Sequence, residues 1–311
     1  MVDINKIATF LRAAETLSFS ETAKQLHLSQ PTVSHHIKRL EQDLSVMLFT
    51  RTNVGLQLTE AGRLLMPWAR RLLRDTNDMQ SMMVALKHDV VGELRITCST
   101  TAGKYILPQL AARFCQRYPG VKVRILACTP EDVTLRLLEG EAHIGVLSRE
   151  ILNAGLESQE FFRDTITLIV PANHRWAFRK IIEPDELMEE ALILREETSG
   201  TRRVVLSELS KFDIGLDDLN IFMELGNAEA IVRTVAAGYG IAFVPQLSTA
   251  CPLERGNVID LEVNGLSLQR TIYMVRKAGS NPHRPRDAFW SFIHAPENVD
   301  LLHLPEKGRQ D

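Results

Sequence analysis

Residues 19–58, FSETAKQLHLSQPTVSHHIKRLEQDLSVMLFTRTNVGLQL, decide the fold of the N-terminal third. They lay out a short helix, a tight turn, a second helix and a hairpin, the order used by proteins that read DNA. Ser20 suits the N-cap of a helix over residues 21–26, with Ala23 and Leu26 facing inward, and His27-Leu28 forms the turn. Ser29 caps the next helix. Pro31 lies in its first turn, where a missing N–H leaves no bond unmade, and Val33, Ile37 and Leu40 recur at core-facing spacing. Gln30, Thr32, Ser34 and His35 point outward at the end of the helix that such motifs insert into the major groove.

A bare helix-turn-helix pattern also fits an ordinary helical hairpin with a solvated polar face. The residues after Leu44 favour DNA. Leu48-Phe49 and Leu56-Gln57-Leu58 flank TRTNVG, a strand, turn and strand in which Asn53 and Gly55 supply turn chemistry and Arg51 is placed to reach a phosphate or the minor groove. The expected DNA-binding set is therefore Ser29, Gln30, Thr32, Val33, Ser34, His35, His36, Lys38, Arg39, Arg51 and Asn53. Arg12 and Lys24 are further candidates for phosphate contacts, each equally readable as a solvated surface charge. Thr59-Glu60-Ala61-Gly62 then opens a helix to about Lys87, with Leu64, Leu65, Trp68, Leu72, Met79, Met83 and Leu86 as its apolar stripe. A small domain alone has no use for a helix of that length.

The segments FSETAKQLHLSQPTVSHHIKRLEQDL and LFTRTNVGLQLTEAGRLLMPWARRLL resemble the LysR-type transcriptional regulators, matching that family's winged-helix domain and dimerising linker helix almost position for position. His35 and His36 stand where relatives often carry Arg or Gln, so the bases read do not carry over. Pro67 falls inside the linker helix, where proline normally costs about 3 kcal/mol, and the family pattern tolerates one there.

With 311 residues, 45% hydrophobic and 24% charged, the chain exceeds the usual single-domain size. The first 15 residues read as an amphipathic helix start, with charges where a signal peptide would be apolar, so a cytoplasmic protein is expected. The uncharged run over residues 234–253 has transmembrane length, but Gly238, Gly240 and Pro245 interrupt it and favour a core reading. Four cysteines, Cys98, Cys115, Cys128 and Cys251, show neither a CxxC pair nor zinc spacing; no metal, disulfide framework or cofactor is expected. The net charge is −3; residues 1–90 hold 11 basic and 9 acidic groups, so that part carries +2 and the rest −5. Non-specific DNA affinity is thus expected to be modest, and specific binding to need a dimer with two readers.

After Val91 the pattern alternates. Residues 93–99, 121–128, 142–147, 165–170, 191–194, 241–244 and 269–275 read as buried strands, and 103–118, 130–139, 200–211 and 227–238 as helices. That implies α/β layers with mostly parallel strands. The family resemblance extends here and implies an effector-binding domain of two α/β lobes, periplasmic-binding-protein type. The organisation is then a winged helix-turn-helix over 1–58, a linker and dimerisation helix over 59–90, and an effector domain over 91–311. Lobe I covers 91–163 and 267–294, and lobe II covers 164–266.

In such folds ligands sit where strands end and helices begin, because free helix N–H groups favour an anion. CSTTAG offers Ser99, Thr100 and Thr101; REETSGTR offers Thr198, Ser199, Gly200, Thr201 and Arg202; Thr129 and Asn227 mark similar turns. Each alone also reads as a plain helix cap, and Arg202 as a surface partner of Glu196 or Glu197. Resemblance to regulators of carbon-fixation or sulfur-assimilation operons implies a phosphorylated metabolite, a nucleotide or a small sulfur oxyanion as effector. It further implies a homodimer pairing into a tetramer on an interrupted inverted repeat, with lobe closure altering the bound DNA. Two rival readings remain, an α/β enzyme and a small-molecule binding protein without DNA activity. The first lacks a GxSxG, a Walker A loop and a strand-led GxGxxG, and the second leaves the winged helix idle.

Overall fold

The N-terminal helix α1 (Ile4–Thr16) starts at Asp3, whose carboxylate accepts the Asn5 N–H, and ends where Leu17 turns into the left-handed region. The next helix, α2 (Phe19–Leu26), is capped by Ser18, not Ser20: Ser18 has the extended backbone a cap needs, and its Oγ accepts the Glu21 N–H. Left-handed His27 closes α2, and Ser29 caps α3 (Gln30–Leu44), which carries Pro31 in its first turn. The hairpin β1 (Phe49–Thr52) and β2 (Gly55–Leu58) follows, and then α4 (Glu60–Ala85), which runs through Pro67 as one helix. The computed structural model describes residues 2–52, 55–85, 90–99, 101–151, 153–279 and 282–302. Asn53, Leu86 and Lys87 lie outside them.

Ile7, Phe10, Ile37, Leu40, Leu48 and Phe49 form the core of this first unit, with Phe10 tilted and Phe19 edge-on against the Phe49 ring. At about 1.5–3 kcal/mol for each large apolar side chain removed from water, this cluster outweighs the propensity of helices so short. The Glu41 carboxylate accepts the N–H groups of Leu48 and Phe49, which fixes where the hairpin leaves α3.

The chain divides into Met1–Asp89 and Val90–Asp311. In the second unit β3 (Gly92–Cys98), α5 (Thr101–Arg117), β4 (Val121–Ala127), α6 (Pro130–Leu138) and β5 (Ile144–Leu147) build a parallel layer, β3 pairing with both β4 and β5. The 16-residue strand β6 (Leu156–Pro171) then crosses to the other lobe. There β7 (Ile181–Ile182), β8 (Leu192–Arg195), α7 (Gly200–Leu209), β9 (Ile221–Leu225), α8 (Ala228–Ala236), β10 (Ala242–Pro245), α9 (Ala250–Glu254) and β11 (Val258–Val263) follow. The return strand β12 (Gln269–Lys277) precedes α10 (Arg284–Phe292) and the short α11 (Val299–Leu302).

The main sheet runs β4-β3-β5-β12-β6-β11-β7, with β10 also on β6. Its strands are not mostly parallel, in contrast to what the alternation implies. β12 is antiparallel to β5 and β6, and β10 and β11 are antiparallel to β6, because the chain crosses between lobes along paired strands rather than through helices. There are two main cores. Phe161 and Phe162 of β6 join one around Phe114 and Phe289, while Ile166, Leu168 and Val170 join the other around Trp176.

Candidate nucleic-acid interface and effector site

The outer face of α3 and the hairpin enclose a groove of about 710 Å³ whose walls include Ser34, Lys38, Gln42, Phe49, Arg51 and Leu56. Lys38, Arg39 and Arg51 form no ion pair among the described residues, whereas Arg12 pairs with Glu15 and Lys24 with Glu21. Of these, Lys38 and Arg51 bring unneutralised charge to the groove itself, where a phosphate would meet them. Gln30 and His35 are exposed beside it.

Four residues of the expected DNA set do something else. Val33 is fully buried under α3, as its helical spacing requires, and reads no base. His36 is turned inward, its Nδ1 3.0 Å from the Thr9 hydroxyl of α1. Ser29 and Thr32 share a 2.7 Å hydroxyl contact while the Ser29 Oγ accepts the Thr32 N–H, so this pair closes the helix start.

In the second unit the head of α7 meets lobe I. Ser199 caps this helix by accepting the Thr201 N–H. A Cβ on Gly200 would overlap the Ser148 Oγ at the end of β5, and would lie 3.0 Å from Nη1 of Arg270 on β12. Only glycine permits that approach. The Thr201 hydroxyl is buried and has no partner among the described residues. Arg203 stands one position short of a full turn beyond Gly200, on the same helix face, and Arg149 follows Ser148. Partial burial, then the like charges of Arg149 and Arg270, pull the Arg203 guanidinium below its ordinary range.

Arg270 donates from Nε and Nη2 to a single oxygen, Oδ2 of Asp164 on β6, at 2.8 and 2.6 Å. Asp164 is completely buried, its Oδ1 has no partner among the described residues, and burial pushes its carboxyl above the usual range against the pull of Arg270. Three guanidiniums beside a helix N-terminus make this a place for an anion. Nearby, the Tyr105 hydroxyl of α5 donates to the Glu229 carboxylate of α8 at 2.7 Å, tying the two lobes, and burial followed by that carboxylate pushes the phenol up.

The expected effector residues do not all gather here. Thr129 and Asn227 accept the N–H groups of Asp132 and Ala230 as caps of α6 and α8. Arg202 donates to the Arg195 carbonyl and, at 2.6 Å, to Glu224 of β9, a strand the sequence does not announce, so it is spent on the surface of β8 and β9. Glu196 is instead forked by Arg195. Ser99 makes a long 3.4 Å bond to the Val146 carbonyl, and Thr198 is exposed. Thr100 and the Thr101 side chain lie outside the described residues. Ser148, Arg149, Arg203 and Arg270 carry no local signal that sequence reasoning picks up.

A profile of the lysR-type bacterial regulatory helix-turn-helix protein matches residues 4–63, and one of the LysR substrate binding domain matches residues 87–296. The chain belongs to the LysR family of transcription regulators. This LysR-family protein is 32% identical over 291 residues to an uncharacterized HTH-type transcriptional regulator of Methanocaldococcus jannaschii, covering 93% of the chain and 98% of the relative. It is also 32% identical over 286 residues to a probable RuBisCO transcriptional regulator of Cyanidioschyzon merolae, covering 91% and 93%. Full-length CbnR complexed with its target DNA shares the fold, with a TM-score of 0.73, 23% identity and coverage of 94% and 98%. The CcmR regulatory domain of Synechocystis PCC6803, solved with 2-PG, gives a TM-score of 0.59 at 26% identity, covering 65% of this chain and 95% of that domain. The LysR-family chain is a DNA-binding regulator and not an enzyme. No helix among its described residues is long and apolar enough to cross a membrane.

Proposed function

We propose that this regulator works in the cytoplasm as a dimer that pairs into a tetramer, reads an interrupted inverted repeat, and adjusts transcription when a small anionic metabolite binds between its lobes. Gln30, Ser34 and His35 meet base edges, while Lys38, Arg39 and Arg51 hold phosphates. The domain organisation accords with these roles: 1–58 reads DNA, 59–90 dimerises, and 91–311 senses the effector. The observation that carries the effector half is the guanidinium cluster of Arg149, Arg203 and Arg270 against Gly200, with the Thr201 hydroxyl buried beside it. The 2-PG bound to CcmR and the RuBisCO-regulator relatives support a phosphorylated acid of carbon metabolism.

Calorimetric titration of the full-length protein with phosphorylated carboxylic acids tests the effector. Gel shifts on the DNA upstream of its own gene, with and without the bound acid, test the response. Binding in the first experiment and an altered, salt-sensitive shift in the second are expected. A protein that shifts DNA identically with every acid of the series is a regulator without this effector.

A further inference from the structure

Besides the crossing strands, the lobes meet through contacts of two kinds. The head of α7 abuts Ser148 at the end of β5, and the turn Gln246–Ser248 after β10 lies against α5 and lays Leu247 on the core of lobe I. These are packing contacts, short in range and without direction. The Tyr105 hydroxyl of α5 and the Glu229 carboxylate of α8, 2.7 Å apart, are of the other kind. Glu229 is the second residue of α8, where free helix N–H groups attract a carboxylate, and Asn227 caps the same helix end. Tyr105 stands in the second turn of α5. Burial, then the carboxylate, push the phenol up, so the proton stays on the tyrosine and the bond is charge-assisted. Both side chains are only half-buried, so each returns to water when the helices part. Asp164 and Arg270 have no such exit: parting them strands a buried carboxylate, and that pair therefore holds in every arrangement of the lobes.

We propose that Tyr105 and Glu229 are a catch between the lobes, a bond that exists only while the heads of α5 and α8 stand close and that sets what share of the population has them so. It needs only the two lobes and no ligand, so it does not rest on the anion-site reading above. The size of the effect fits the role. A hydrogen bond to a charged group shifts a two-state balance about tenfold or more, the range by which two arrangements of one protein commonly differ. The direction of the bond fits as well. A 2.7 Å bond is gone once its oxygens part by about 1 Å, so the catch is made or open, whereas the packing of Leu247 loosens by degrees.

The test is the distance between the lobes in the full-length protein. Spin labels at Glu139→Cys in lobe I and Ser207→Cys in lobe II, both exposed positions, are read by pulsed dipolar spectroscopy in a Cys251→Ser background that removes the exposed thiol. Dilution into unlabelled chains keeps the distances within one chain. Tyr105→Phe keeps the ring and removes the donor, and the ratio of close to wide distances is expected to fall about tenfold. Glu229→Gln keeps an acceptor without its charge, and is expected to fall between that variant and the wild type. A Tyr105→Phe distribution that superposes on the wild type overturns the catch, whatever happens to the melting temperature, which a merely structural bond would also move. A Glu229→Gln distribution wider than that of Tyr105→Phe overturns the pairing, since Glu229 would then act through another group. If Tyr105→Phe does not fold, Glu229→Gln decides: a distribution shifted to wider distances upholds the catch and an unchanged one overturns it. No effector enters these samples, so a failure of the effector reading leaves the outcome intact.

Discussion

At the scale of single residues, the two halves of the protein differ in what a substitution is expected to change. Ser34 and Lys38 line one groove, yet they meet different parts of DNA. Ser34→Ala should cost about 1–3 kcal/mol of discrimination at one half-site position, while Lys38→Ala should weaken all sequences alike and lower the salt slope by about one unit. Equal loss of specific and non-specific binding in both variants would show that α3 is not the reader. His36→Ala, by contrast, belongs with α1 and Thr9, so its effect should be on stability. In the effector domain Gly200→Ala places a methyl group against Ser148 and should destabilise by about 1–3 kcal/mol through overpacking. Ser148→Gly in the same chain removes both the Oγ and the Cβ that crowd it. Urea midpoints of the two single variants and the double variant check this: the double should recover most of the loss, and simple additivity would place the strain elsewhere.

At the scale of elements, the turn over Pro184–Glu189 before β8 shows how charge fixes a connection. Both guanidinium arms of Arg179 reach the Glu186 carboxylate at 2.6 and 2.8 Å, and Glu186 also accepts the Glu183 N–H. The Arg179 bonds, then that N–H, hold the Glu186 carboxyl below its usual range. A depressed folded-state value means stability that is present above the unfolded value and lost as pH falls through the folded one. Glu186→Gln should therefore lower the urea midpoint at neutral pH and flatten its decline below about pH 4–5; an unchanged slope would mean that the ion pair contributes nothing. Helices with caps and buried stripes are legible in the sequence, since apolar spacing and cap chemistry are local. The choice between Ser18 and Ser20 is not, because two serines in one turn are chemically equal and only the left-handed Leu17 decides between them. β9 escapes a reading by apolar runs because four of its five residues are exposed, and β11 because Asp260 and Glu262 break its run. Arg270 looks like one polar residue in a core strand. Its role arises only when β12, β6 and α7 meet, a long-range fact that no window of sequence contains.

At the scale of the whole molecule, α4 carries two apolar faces. Ala61, Leu65, Ala69 and Leu73 pack into the first unit, while Leu64, Trp68, Leu72, Met79 and Met83 remain exposed, Trp68 at 63%. A single chain gains nothing from such a stripe, and in the proposed dimer, with α4 as its seam, a second copy covers it. Leu72→Asp should abolish the dimer in sedimentation and reduce binding on a full inverted repeat toward half-site affinity; an unchanged dimer would place the seam elsewhere. The long strand β6 bears on how such regulators diversify. Its first half completes one core and its second half the other, so neither lobe is a detachable cassette. A chimera that borrows a relative's ligand preference has to import β6 and β12 together, or exchange side chains in place. Recombination breakpoints inside either strand would leave two unfinished cores, which confines the inheritance of new specificities to point changes at the cleft or to exchange of the entire sensor.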